Sequence, residues 1–127
     1  MCSLMGDAGS PVARFERAIR IGRPSIVLAA ANELPRPIQL RDAVRILLVL
    51  AAREPERFPA AAARFGSRLV SERRLDITEA QLAFAALATL GTPDPAAGAE
   101  TLCVLLERHG EQRAAEYVAD WLRSRDT

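Results

Sequence analysis

The chain contains no lysine. All 17 of its basic residues are arginine, and asparagine occurs once, as Asn32. Cysteine is nearly missing as well: Cys2 and Cys103 are the only two, and His109 is the only histidine. Two distant thiols exclude a disulfide framework and a CxxC motif, and with a single imidazole they supply no zinc ligand set. The Gly-x-Ser-x-Gly elbow, the phosphate loop and His-Glu-x-x-His are also absent. We therefore assign no catalytic residue, no metal ligand and no cofactor, and expect a protein that is not an enzyme. The longest uninterrupted apolar runs, Ile46–Ala52 and Leu82–Ala88, are seven residues each, far below the roughly 20 residues a membrane helix needs. Residues 1–11 lack the basic stretch and apolar run of a secretory signal. The expected setting is soluble, reduced and cytoplasmic, with no membrane partner. Aromatic residues make up only 5% of the chain, which leaves little stacking surface for single-stranded nucleic acid.

What is present is mostly helix-forming. The 127 residues suffice for one domain, and half of them are apolar, so the chain can bury a core. Alanine (24) and leucine (16) lead the composition with arginine, and the first two are strong helix formers. A GC-rich bacterial genome accounts for the alanine and arginine surplus and the lysine deficit together. The functional reading of lysine-free basicity is carboxylate or phosphate recognition by the planar guanidinium fork.

Proline and glycine cut the chain into seven short helical pieces. Ser10-Pro11 reads as an N-cap followed by a first helical residue. The first helix carries Val12, Phe15 and Ile19 inward and stops at Gly22. Pro24 opens the second, with Val27, Ala30 and Leu34 inward, and Pro35 and Pro37 end it. The third runs from about Gln39 to Arg53; Leu40, Ala43, Leu47 and Leu50 form its inner stripe, widened by Val44, Leu48 and Ala51. A helix this apolar on all sides belongs in the middle of a domain. The fourth buries Phe58, Ala62, Phe65 and Leu69 and is weakened locally by Gly66. Thr78–Gln81 reads as a capping box for the fifth, which points Ala80, Phe84 and Leu87 inward. Asp94-Pro95 caps the sixth, with Ala99, Leu102 and Leu106. The seventh, about Glu111 to Arg123, directs Ala114, Tyr117, Val118, Trp121 and Leu122 to the core. No stretch alternates with period two, so the expectation is an all-α domain over residues 11–127 behind a flexible segment, residues 1–10.

A shift of 37 residues lays Leu40, Ala43, Leu47 and Leu50 on Ile77, Ala80, Phe84 and Leu87, and Phe65 and Leu69 on Leu102 and Leu106. Three helical hairpins and a closing helix are expected. In this the chain resembles short HEAT-like α-solenoid repeats, whose period is of that order. The architecture is either such a solenoid or a compact orthogonal bundle.

Charge is distributed unevenly although the net is only +1. Residues 1–75 hold 13 arginines against 7 acids, and residues 76–127 hold 4 against 9. Arg57, Arg64 and Arg68 fall within about 40° of one another on a helical wheel. They form an expected exposed column, with shorter columns at Arg41 and Arg45 and at Arg14 and Arg17. These seven arginines are the candidate partner-binding residues. A protein with an acidic face is the expected partner, and a second copy of this chain, basic half to acidic half, is one such protein. The alternative is a DNA or RNA backbone. His109, in Glu-Arg-His-Gly, reads as a C-terminal helix cap facing the negative end of the dipole.

Overall fold

A computed structural model describes residues 9–125, and every regular element in that span is an α-helix. Cys2 and most of the expected flexible segment, residues 1–8, lie outside the described residues. The helices are α1 (Pro11–Ile21), α2 (Pro24–Ala31), α3 (Leu40–Arg53), α4 (Phe58–Arg73), α5 (Ile77–Leu90), α6 (Ala96–Arg108) and α7 (Gln112–Arg125). Local chemistry sets most of the ends. The Ser10 hydroxyl accepts from the Ala13 N–H at 3.0 Å, Pro11 follows it, and Gly22 closes α1 in the left-handed region at φ 76°. The cap of α5 differs from the expected one. Asp76, not Thr78, is the N-cap, and it exchanges hydrogen bonds with Glu79, so the helix begins earlier, at Ile77. Nor does Asp94 cap α6: that helix starts after Pro95 with no side-chain cap.

The hydrophobic core has two parts that meet at α3. Leu47, Phe65, Leu69, Leu102, Leu106 and Val118 belong to the larger one, built from α3 to α7. The smaller one holds Phe15 of α1, Val27 of α2 and Leu34, which lies in the turn after α2 and not within that helix as expected, with Ile46 and Val49 of α3 packed against it. α3 therefore touches α1, α2, α4 and α7, which is why almost its whole circumference is apolar. A strictly linear stack of hairpins makes neighbour contacts only. Here α7 returns to pack on α3, and the last five helices close into a compact bundle with the first hairpin laid against it.

That closure breaks the internal repeat. The equivalents of buried Leu40 and Leu47 are Ile77, 79% exposed, and Phe84, 40% exposed. α3 has neighbours all round, whereas α5 packs mainly on α4 and α6, so the same stripe finds no cover there. Val12, also expected inward, is exposed on α1 for the same lack of a neighbour. Gly66 proves to be a spacing device: a Cβ there would lie 2.4 Å from the Phe84 ring.

Candidate functional site

The seven arginines singled out in the sequence do not share one surface. Arg57, Arg64 and Arg68 of α4 do come together. They line one side of a groove of about 250 Å³, and its apolar wall includes Leu28, Ala43, Ile46, Leu47 and Phe65 from α2, α3 and α4. Arg57 is exposed and pairs with Glu54 at 2.9 Å. Arg64 is exposed and has no hydrogen-bond or ion-pair partner among the described residues. Arg68 departs from expectation. It is only partly exposed, it donates to the Ile38 carbonyl oxygen at 2.5 Å and to Glu72 at 2.8 Å, and so it ties α4 to the segment before α3.

Arg41 is exposed on a neighbouring hollow that shares Arg68. Arg14 and Arg17 sit on α1 and do not line the α4 groove. Arg14 is occupied by Glu33 at 2.8 Å and by the Gly9 carbonyl oxygen. The basic and acidic halves also partly satisfy each other within the chain, through the pair Arg73–Glu111.

Arg45 is the clearest correction. Its side chain is 11% exposed and points between the two cores. Both terminal nitrogens donate to the Glu16 carboxylate at 2.8 Å, Asp42 lies 3.8 Å away, and the guanidinium sits 4.3 Å from the Tyr117 ring centroid. The bidentate bond from Arg45 holds the Glu16 carboxyl below its usual range despite partial burial, and the same bond raises the Arg45 pKa against desolvation. Asp42 is shifted the other way, because burial outweighs the nearby arginines. One residue thus joins α1, α3 and α7. Arg45→Ala should cost about 1–3 kcal/mol in urea unfolding, from charged hydrogen bonds and a packed stem. Hydrogen exchange should speed up in α1 and α2 before it does in α4 to α6. Because Glu16 is 42% exposed, the Arg45–Glu16 coupling in a double-mutant cycle should stay below about 1 kcal/mol.

His109 closes α6 with its backbone, whose N–H bonds to the carbonyls of Leu105 and Leu106. Its ring does not face the helix end. Nε2 lies 2.9 Å from Glu79 Oε2, so the two partly buried side chains join the end of α6 to the start of α5. Arg108 reaches the same carboxylate at 3.7 Å. The His109 hydrogen bond first, and the Asp76 backbone N–H second, hold the Glu79 carboxyl below its ordinary range. A depressed carboxylate stabilises fully above its unfolded pKa and loses that contribution as pH falls through the folded one. Between the ordinary glutamate range and that lower value, Tm should fall more steeply for the natural protein than for Glu79→Gln.

Two aromatic residues expected in the core pack against its edge and stay partly open. Tyr117 and Trp121, one turn apart on α7, are only half-buried and line a hollow between α1, α3 and α7. Their spacing signals an inward stripe, and nothing along the helix indicates that the end of α1 meets α3 and α7 without covering it. Cys103 is half-buried, its thiol 3.4 Å from the Ala115 carbonyl oxygen, and burial pushes its pKa up. Among the described residues no helix is long and apolar enough to cross a membrane, and no three His, Cys, Asp or Glu side chains cluster as metal ligands would. Comparison with known proteins finds no matching family model, no matching curated protein and no matching solved structure.

Proposed function

We propose that the protein is a small non-enzymatic interaction domain of the cytoplasm, whose α4 groove receives an amphipathic helix with an acidic flank. One observation carries this reading: exposed guanidinium groups of Arg57 and Arg64 border an apolar wall formed by α2, α3 and α4. A helix laid in such a groove buries its apolar stripe against the wall and presents its carboxylates to the arginine edge. Positive charge at the rim steers the partner and selects its sign, while the apolar centre supplies most of the affinity. A second copy, offering its acidic half, is one form such a partner takes.

The test uses a labelled helical peptide with leucine on one face and glutamate on the flank, followed by fluorescence anisotropy. Arg57→Glu/Arg64→Glu changes only exposed positions, so the fold should survive, at about 0.5 kcal/mol per site. Arg68 is left intact because it braces α4. Binding should fall by at least about tenfold in the double reversal, since like charges then face the peptide. Salt should weaken the natural complex only modestly. A duplex oligonucleotide that binds more tightly, with a steep log–log salt dependence, would replace this reading with backbone recognition. Unchanged peptide affinity in the double reversal would end it.

A further inference from the structure

The hollow between α1, α3 and α7 is larger than the α4 groove, about 540 Å³, and lies within the roughly 300–1,000 Å³ of ligand pockets. It uses a different face of α3. Val49 and Ala52 of α3 and Ile19 of α1 give it aliphatic walls, and Tyr117 and Trp121 line it from α7. The charged groups around it are unevenly satisfied. Arg45 is neutralised by Glu16, and Asp120 is held by Arg123. Arg53 and Arg125 line the same hollow, and neither has a carboxylate within ion-pair distance among the described residues. Arg125 lies over the Trp121 ring, 4.9 Å from its centroid.

We infer that this hollow is a binding site for a planar aromatic carboxylate. Arg45 and Arg113 lie over Tyr117 and Arg125 over Trp121, so a flat apolar body packs on the aliphatic walls and on the ring surface the arginines leave uncovered, and burying such a body is the main source of affinity. The guanidiniums of Arg53 and Arg125, which have no carboxylate partner among the described residues, select the charge: a carboxylate accepts two parallel hydrogen bonds from one arginine fork. A small polyanion without a hydrocarbon body would leave the apolar walls unfilled. An uncharged aromatic offers the arginines only a ring face or a single neutral acceptor, a weaker contact than the charge-assisted fork. The site does not depend on the α4 groove.

The experiment uses the full chain with two probes of equal shape, naphthoate and its neutral counterpart naphthalenemethanol. Calorimetry gives affinity. Trp121, the only tryptophan in the chain, reports occupancy of this hollow through its fluorescence. Naphthoate should bind one to one with a change in Trp121 emission, and naphthalenemethanol about tenfold or more weaker, as one charge-assisted bidentate contact requires. Arg53→Gln should weaken naphthoate about fivefold or more and leave the alcohol unchanged. Ala52→Phe, which fills the hollow from an exposed helix position, should abolish binding of both probes with the helical circular dichroism intact. The inference is overturned if naphthoate produces no saturable heat or emission change, if the alcohol binds as tightly, or if folded Ala52→Phe binds naphthoate normally. Should Ala52→Phe fail to fold, Arg53→Gln decides alone: unchanged discrimination between acid and alcohol overturns the proposal.

Discussion

Replacing Phe65 with alanine should destabilise the protein by about 3–5 kcal/mol, the cost of an emptied aromatic site in a packed core. Phe65 is 4% exposed and belongs to the larger core with Leu47 and Leu69. Its ring also forms part of the α4 groove wall, so one side of the vacated space is close to solvent. The stem of Arg64 can lean into it, which places the expected value toward the lower end of the range. Leu47→Ala, on the facing helix, should cost about 2–5 kcal/mol. The two residues line the same wall, so the double variant should fall short of the sum. Urea unfolding with an unchanged m-value measures all three. Losses below about 1 kcal/mol at both sites would mean that α4 is not seated on α3 through these side chains. Loss of the wall would also weaken peptide binding in the groove, whereas naphthoate binding at α7 should persist in the folded fraction.

Gly98→Val should cost at least about 3 kcal/mol, through overpacking against backbone rather than through a cavity. Gly98 is buried in α6, where that helix meets α5 in the most extensive contact of the fold. A Cβ there would stand 2.6 Å from the Ala86 carbonyl oxygen and 2.6 Å from Thr89 Cβ. The first is main chain within a helix and cannot rotate aside, so the helices must separate and carry Leu87 and Leu102 with them. Gly66→Ala gives the contrast. There the closest atoms are side-chain atoms, the ring of Phe84 at 2.4 Å, on a residue 40% exposed, and Leu87 Cδ1 at 3.0 Å, so no backbone has to move first. Alanine also improves helix propensity by roughly 1 kcal/mol. The net change at Gly66 should stay within about 1 kcal/mol, measured as a Tm difference beside that of Gly98→Val.

Helix number, breaks and most inner faces were legible in the residues alone. Ser10 with Pro11, Gly22, Pro24 and the Pro55–Pro59 segment act within a turn or two of themselves, so their effect does not depend on the rest of the chain. The inward stripes of α3, α4 and α6 followed from the 3.6-residue period, and so did the column of Arg57, Arg64 and Arg68 that now edges a groove. Periodicity gives the direction of a stripe but says nothing of what the stripe meets. The packing of α7 back onto α3 pulled Arg45 inward, onto Tyr117 and Glu16. The way the end of α1 meets α3 and α7 left Tyr117 and Trp121 beside an open hollow. The lack of a neighbour beyond α5 left Ile77 and Phe84 uncovered, and the close crossing of α5 and α6 made a glycine necessary at Gly98. Each of these depends on contacts between residues far apart in the chain, and such contacts exist only once the helices have chosen their partners.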